Sequence, residues 1–450
     1  MTKTMGSESF ASWTLAQEGR ALLTRLQRVK PFALQETMVP AAAPTNDAQA
    51  ALEGHLGRLR RALRRRIEQF LRWIETGPGA KARPDEAQRR FTLLRLEFNR
   101  VLSHVDIFSE ALSQRSETDN GIWLSGLDVV ARDALALPGY FESPPVICYL
   151  ARGAGAAIRR ARSRLPGGGD NPVAIIRMPR ERMIGSGIAS SLVHEVGHQG
   201  AALLDLLPSL RSALGAVKPV GEAAALAWPL WSRWISEIVA DLWAVAKVGI
   251  TSTIGLIAVV SLPRAFVFRI NLEDPHPAPW IRVMLSAAIG QALYPDPQWA
   301  RLSGLWESYY PLEGLDAGRR KVVDALLETM PAFVERLIRH RAPRLLLRPL
   351  GDVLASEGRR PERLRGLYRL WRRAPSLVRT AAPSLVFAVI GQARSDGAIT
   401  PQEESEVLDR ALRHWALQTS IETAASYGLP RGTRLGPRTQ TTSYQPHTTY

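Results

Sequence analysis

Two histidines and a glutamate that could bind and use a metal ion stand together in the segment 194–198, whose sequence fits the pattern His-Glu-x-x-His. Residues four apart lie on one face of a helix, so the imidazoles of His194 and His198 can reach a single ion. Zinc suits nitrogen ligands and lowers the pKa of bound water toward about 7. We therefore predict that His194 and His198 bind zinc and that Glu195 is the general base that activates water.

A third ligand is required, and the apolar segment 234–243 offers two acidic residues, Glu237 and Asp241, which are again four apart. Acidic side chains are costly to bury unless they are paired or bound to a metal. We predict that Glu237 is the third zinc ligand. Asp241 is predicted to accept a hydrogen bond from a ligand histidine and so to fix the tautomer of its ring. The alternative for Glu237 is a buried salt bridge to an arginine.

At these residues the chain resembles the gluzincin metallopeptidases, which combine His-Glu-x-x-His with a downstream helix carrying Glu-x-x-x-Asp. The segment 274–282, Asp-Pro-His-Pro-Ala-Pro-Trp-Ile-Arg, is similar to an element of the branch that contains CAAX-prenyl and heat-shock proteases. The resemblance covers residues 170–290 and implies supporting roles for His276 and Arg282. His276 would donate a hydrogen bond to an oxyanion, or only shape a turn, and Arg282 would hold a carboxylate. Members of this branch are typically embedded in membranes, so their substrates are not carried over to this chain.

The elements that must position these residues are mainly helical. Apolar residues recur every three to four positions over 46–76 and over 84–116, and the two stretches are predicted to form an antiparallel helical hairpin. Further helices are expected over 187–207, where Pro208 would end the helix, and from Pro229 to 248. Val173–Met178 is the clearest candidate for a strand.

We therefore predict a mainly α, α+β fold in which a zincin-like core with a small sheet is flanked by helical domains. The helical hairpin region is placed at 1–118, the metallopeptidase domain at 119–315 and a C-terminal helical domain at 316–428. Residues 429–450 lack periodicity and are predicted to be disordered, or to become ordered on a partner. The helices of the C-terminal domain are expected to be separated by prolines, namely Pro331, Pro343, Pro349, Pro361, Pro375 and Pro383.

A short motif in the C-terminal region predicts two helices joined by a turn. Asp396-Gly397 predicts a turn between two helices, and Thr400, Pro401 and Glu403 fit a capping box at the start of the second helix. Over residues 387–404 this element resembles the helix–turn–helix unit of TerB-like tellurite-resistance domains. An ordinary helical hairpin is the alternative, and no metal site is predicted at Asp396 or Glu404.

The net charge of +16 predicts attraction to polyanions, unless the excess is spread over solvated helix faces. Six arginines occur between residues 58 and 66, and the apolar stripe of that helix places most of them on its opposite face: Arg58, Arg60, Arg61, Arg64, Arg65 and Arg66. Binding of nucleic acid through these arginines is an alternative to a solvated face, and it predicts an affinity that falls steeply with salt.

Cys148 is the only cysteine, so one chain cannot form an internal disulfide or a thiolate metal cluster. Its apolar surroundings at 145–150 predict a buried core thiol. The N-terminus lacks the apolar stretch of a signal peptide, and the apolar segment 248–262 is shorter than a membrane span and predicts a buried helix. We therefore expect a cytoplasmic protein without a membrane span.

These features together predict a zinc metallopeptidase that hydrolyses a protein or peptide substrate. The alternative is a catalytically silent structural or docking component that keeps the zinc site. With either function, the basic helices and the polar C-terminal tail would be suited to contacts with a large protein assembly.

Overall fold

The computed structural model describes residues 7–32, 37–153, 155–180 and 185–428 of the chain. Helices dominate these residues, and three short strands form a small sheet. The prediction of a mainly α, α+β fold with a small sheet is therefore confirmed. The tail that was predicted to be disordered, 429–450, lies outside the described residues.

The elements follow one another along the chain in three groups. The first group contains α1 (Ser7–Arg28), α2 (Asn46–Glu75), α3 (Pro84–Ser113), α4 (Thr118–Leu135), β1 (Val146–Ala151), β2 (Ala157–Arg159) and β3 (Ala174–Pro179). The second group contains α5 (Ser186–Leu203), α6 (Leu206–Gly215), α7 (Glu222–Val248), α8 (Ile250–Val260), α9 (Arg264–Val267), α10 (Pro279–Leu293) and α11 (Gln298–Tyr309). The third group contains α12 (Ala317–Arg339), α13 (Leu350–Leu354), α14 (Pro361–Arg373), α15 (Leu377–Thr380), α16 (Pro383–Ser395) and α17 (Pro401–Gly428).

Helices α2 and α3 form the antiparallel hairpin that the periodicity predicts. The rings of Phe70 and Phe91 lie 5.7 Å apart, and the rings of His55 and His104 lie 5.4 Å apart. The earlier residue of α2 thus meets the later residue of α3, so the two helices are antiparallel. Apolar residues of α1 pack against the same pair of helices. Arg58, Arg61 and the arginines from 64 to 66 are exposed, as expected for a solvated face.

Strand β3 lies in the centre of the sheet, whose order is β1-β3-β2. It runs parallel to β1, with Val146 opposite Ala174, and antiparallel to β2, with Ile158 opposite Ile176. Sequence reasoning found β3 but missed β1 and β2, because a short apolar run does not by itself distinguish a strand from a buried helix. Strand β2 is an edge strand.

Alternate residues of the sheet pack in two different cores, because successive side chains of a strand point to opposite faces. Ile147 and Ile175 pack with residues of the hairpin. Cys148, Ile176 and Met178 belong to the large core that also contains residues of α4, α5 and α7. Cys148 is fully buried, as its apolar surroundings predict. The sheet therefore lies between the hairpin and the helix that carries His194.

The large core continues through the C-terminal helices. Its buried members run from Trp123 on α4 to Trp415 on α17. It includes Phe333 of α12 and Phe387 of α16, both of which are fully buried. Residues on both sides of the predicted domain boundary at 315 therefore share one core.

Three of the helix boundaries predicted from prolines are wrong. The helix predicted over 187–207 ends at Leu203, because Asp205 adopts a left-handed conformation, and Pro208 lies in the first turn of α6, where its missing N–H leaves no bond unmade. The helix predicted to begin at Pro229 begins at Glu222, since alanine-rich sequence precedes the proline and favours helix. Pro331 likewise lies within α12, whose buried residues lie on both sides of it.

The apolar segment 248–262 forms α8, and Gly249, with a φ of +59°, separates this helix from α7. Its threonines and serine, residues 251–253, are buried, which confirms the expected buried helix. Among the described residues, no helix combines the length and the hydropathy that crossing a membrane requires.

Helices α5 and α7 approach each other closely at glycines. A Cβ atom added to Gly197 would lie 2.8 Å from the Cα atom of Ala240 and 2.9 Å from the Cβ atom of Trp243. A Cβ atom added to Gly200 would lie 2.4 Å from the ring of Trp243. The absence of side chains at these two positions is therefore what allows the backbones of α5 and α7 to meet.

Replacing Gly197 with alanine is expected to destabilise the protein by about 1–3 kcal/mol, because the new methyl group would overpack the contact between the helices. Alanine favours a helix over glycine by about 1 kcal/mol, so the clash must outweigh that gain. Gly187→Ala is the matched control on the same helix, since a Cβ atom at Gly187 would meet no atom of the described residues within 4 Å. Denaturant-induced unfolding should therefore show a lower free energy of unfolding for Gly197→Ala and a higher one for Gly187→Ala. An equal stabilisation of both variants would contradict the close contact at Gly197.

Candidate metal centre

The predicted site residues come from three helices and one loop. His194, Glu195 and His198 lie in the middle of α5, and Glu237 and Asp241 lie on the part of α7 that packs against it. The contact at Gly197 falls between the two histidines, so it holds α7 close to their side chains. Arg282 lies in the first turn of α10, and His276 lies in the loop before that helix.

The three predicted ligands form a compact group. Oε2 of Glu237 lies 3.2 Å from Nε2 of His194 and 3.6 Å from Nε2 of His198. The ligand atoms of all three residues lie within 4.8 Å of one another. The histidines are partly buried and Glu237 is buried. His194, His198 and Glu237 could therefore hold a metal ion.

Two of the distances in this group match those between the ligands of a tetrahedral ion. Zinc is bound at about 2.0–2.2 Å by imidazole nitrogens and carboxylate oxygens, which places the ligand atoms about 3.3 Å apart. The distances of 3.2 and 3.6 Å from Glu237 to the two histidines are close to that value. The imidazole planes are nearly perpendicular, at 87°, with ring centres 4.9 Å apart. Both rings can therefore direct a nitrogen at one point without stacking on each other.

Asp241 and Arg282 orient His194 from behind. Nδ1 of His194 donates to Oδ1 of Asp241 at 2.7 Å, so the other ring nitrogen, Nε2, faces Glu237 in the ligand group. Arg282 donates to both carboxylate oxygens of Asp241, from Nε at 2.7 Å and from Nη2 at 2.9 Å. Burial alone would raise the pKa of Asp241, but Arg282 and His194 hold it well below its usual range. Asp241 is therefore an anion that is paired on both sides.

The carboxylates of the group stabilise positive charge on the imidazoles. Burial would lower the pKa of His194, but the carboxylate of Asp241 and the hydrogen bonds to Asp241 and Glu237 raise it to about 9. Burial would raise the pKa of Glu237, but hydrogen bonds from His194, His198 and His276 keep it well below its usual range. Protons shared between imidazole and carboxylate therefore hold the group together at the point where a metal ion would sit.

Among the described residues, the ion-pair partners of Glu237 are all histidines: His194, His198 and His276. The arginine of the site, Arg282, pairs with Asp241 instead. The structure therefore places Glu237 in an imidazole cluster and not in the buried arginine salt bridge that was its alternative.

Glu195 is buried, with 8% of its surface exposed, and it follows His194 directly on α5. Its side chain lines a cavity of about 130 Å³ that also borders His194 and Asp241. Burial raises the pKa of Glu195 above the usual value for a glutamate, although the neighbouring imidazoles oppose that shift. A carboxylate with a raised pKa takes up a proton more readily than an ordinary glutamate does.

His276 reaches the same group from the loop, with nearly half of its side chain exposed. Its Nε2 atom lies 3.1 Å from Oε2 of Glu237, and this hydrogen bond raises the pKa of His276. Oδ1 of Asp274 accepts from both Nδ1 of His276, at 2.7 Å, and its backbone N–H, at 3.0 Å. Asp274 therefore fixes the ring, and its position two residues before His276 is a signal that sequence reasoning missed.

Several residues that line the cavity were not predicted. They come from α5, from α8 and from the chain just before β2: Gly155, Ala156, Ser190, Ser191, Ser252, Leu256 and Val259. Ser190 lies four residues before His194, so helical spacing could have identified it. The residues of α8 carry no such signal, because only the packing of α8 against α5 brings them to the site.

No protein-family model, curated protein or solved structure matches this chain. The resemblance to gluzincins therefore rests on the motifs at 194–198, 237–241 and 274–282 alone.

Proposed function

We propose that this chain is a zinc-dependent metallopeptidase of the gluzincin type. The observation that carries the proposal is the convergence of His194, His198 and Glu237 on one point, with the buried carboxylate of Glu195 beside them. Three protein ligands instead of four are typical of a catalytic zinc site, and a carboxylate beside them can serve as the general base.

The donor set supports zinc as the ion. Two imidazole nitrogens and one carboxylate oxygen make up three of four tetrahedral positions and leave the last for water or substrate. A zinc ion held there would supply Lewis-acid activation of water and polarisation of a substrate carbonyl. Asp241, itself held by Arg282, keeps His194 in the tautomer that such a site needs.

The chain's own residues then divide the proton transfers of peptide hydrolysis. Glu195 takes a proton from the attacking water as the new C–O bond forms, and it returns that proton to the amine as the C–N bond breaks. His276, whose Nε2 atom lies 3.1 Å from Oε2 of Glu237, is the proposed hydrogen-bond donor to the oxygen that becomes negative in the transition state. The single-proton shuttle on Glu195 agrees with the raised pKa of its carboxyl.

The edge of the sheet offers a place for the substrate. Strand β2 is an edge strand, and Gly155 and Ala156, which lead into it, line the cavity beside Glu195. An extended peptide that pairs with an edge strand presents its backbone in a fixed register. A peptide lying along β2 would therefore carry one of its peptide bonds past the metal centre.

The proposal is tested by measuring metal content and chelator-sensitive cleavage together. We expect about one zinc ion per chain in the purified protein, as for a site with three protein ligands. Peptides from a mixed library should be cleaved, and a zinc chelator should stop the cleavage until zinc is restored. Bound zinc without cleavage of any peptide would instead favour the silent docking component, and the absence of bound zinc would refute both functions.

A further inference from the structure

The helix that carries the two histidines begins without a cap of its own. Its N-cap residue, Gly185, has a φ of +106° and no side chain that could accept from the first free N–H groups. The first turn of α5 also contains no acidic residue to balance the positive end of the helix dipole. The first turn of α5 therefore needs a hydrogen-bond acceptor from another element of the structure.

Glu404 supplies that missing acceptor from α17, 218 residues further along the chain. Its Oε1 atom accepts from the backbone N–H of Ser186 at 2.9 Å, and its Oε2 atom lies 3.8 Å from Nε of Arg394. Only 9% of the Glu404 side chain is exposed. Burying a carboxylate is costly, so this one is held by the charge of Arg394 and by the end of α5.

The capping box predicted from the sequence sets the direction of Glu404. The backbone N–H of Thr400 donates to the carboxylate of Glu403 at 2.9 Å, and the N–H of Glu403 donates to Oγ1 of Thr400 at 3.2 Å. These bonds fix the first turn of α17, and Glu404 is the next residue. Glu403 thus caps its own helix, while Glu404 caps a different one.

We infer that Glu404 is a positioning residue for the metal centre, which it serves by capping α5. The inference rests on the proposed function. His194 lies eight residues after Ser186, about 12 Å along the helix, and Ser190 and Ser191, which line the cavity, lie between them. A first turn that frays would therefore move the wall of the cavity and release the two histidines from a fixed position along the helix axis.

The close packing of α5 elsewhere explains why this end matters. A Cβ atom on Gly255 of α8 would lie 2.2 Å from Oγ of Ser190, and Gly197 meets α7 with no space to spare. These contacts hold α5 from its sides. Glu404 acts at its end, where it accepts from the N–H group of the first helical residue, Ser186.

The test compares Glu404→Ala and Glu404→Gln with Glu406→Ala, which removes an exposed glutamate from the same helix. Hydrogen exchange of the amides at 186–189 reports the cap. Zinc affinity, from competition with a chromophoric chelator, and the visible spectrum of the Co²⁺-loaded protein report the positions of the ligands. All three measurements use the full chain.

We expect E404A to accelerate hydrogen exchange at 186–189 and to change the Co²⁺ spectrum. It should also weaken zinc binding about tenfold, which is at the lower end of the effects seen when residues that support metal ligands are removed. E404Q keeps an acceptor oxygen and should recover much of the zinc affinity. Comparison of E404Q with the wild type also serves as the test if E404A does not fold. E406A should match the wild type. Faster exchange in E404A with unchanged zinc affinity and spectrum would overturn the positioning role, whereas a wild-type protein that binds no zinc would refute the proposed function itself.

Discussion

Replacing Glu195 with glutamine is expected to lower the rate of peptide hydrolysis by about 10²- to 10⁴-fold, the range that general acid–base catalysis contributes. Glutamine has nearly the same shape as glutamate but cannot accept a proton from water. Because Glu195 is not one of the three residues that form the metal-binding group, the same change should leave the zinc content unaltered. The combination of lost turnover and retained metal is what separates a general base from a ligand.

The measurement is a comparison of kcat and of zinc per chain for wild type and E195Q. Glu328→Gln makes the same chemical change at an exposed position on α12 and should keep full activity. Undiminished hydrolysis by E195Q would show that another group takes the proton. Loss of zinc along with activity would instead make Glu195 part of the metal-binding group.

Replacing Asp241 with asparagine is expected to weaken zinc binding by about 10- to 100-fold, the usual effect of removing a partner that orients a ligand. Asparagine can present its N–H₂ group to Nδ1 of His194, which favours the wrong tautomer of the ring. The change also leaves Arg282, of which only 11% is exposed, without its counter-charge. Breaking a buried ion pair from one side costs about 3–5 kcal/mol, so the metal-free protein should lose stability as well.

Chelator competition and chemical unfolding of the metal-free protein measure these two effects separately. Asp324→Asn is the control, because Asp324 is paired with Arg320 on an exposed helix face, where such pairs contribute about 0.3–0.5 kcal/mol. The double variant D241N/R282Q should regain part of the lost stability but not the zinc affinity. Equal stability losses for D241N and D324N would show that Arg282 does not depend on Asp241.

The candidate site residues were predictable because the spacing within each pair places both residues on one face of a helix. His194 and His198, like Glu237 and Asp241, are four apart on a helix, and no tertiary knowledge is needed to place each pair on one face. The hairpin of α2 and α3 followed from periodicity in the same way. Local rules of this kind also identified the capping box at Thr400.

What local rules could not supply is the way in which distant elements meet. The proline rules placed the start of a helix at Pro229, but α7 begins at Glu222 and continues through the proline, because sequence on both sides favours helix. Nothing in the segment 194–198 indicates that Gly197 is the point where the backbones of α5 and α7 touch. The role of Glu404 was invisible for the same reason, since its partner is a backbone N–H group and not a residue type.

The long-range cap on α5 also has a consequence for the time at which the centre matures in a cell. Ribosomes add about 5–20 residues per second, so the 218 residues between Ser186 and Glu404 take roughly 10 to 45 s to make. During that interval both histidines already exist, but the end of their helix has no acceptor. A nascent chain would thus carry an immature centre until Glu404 has been added. If the centre hydrolyses peptides as proposed, it would have less opportunity to cleave its neighbours on the ribosome during that interval.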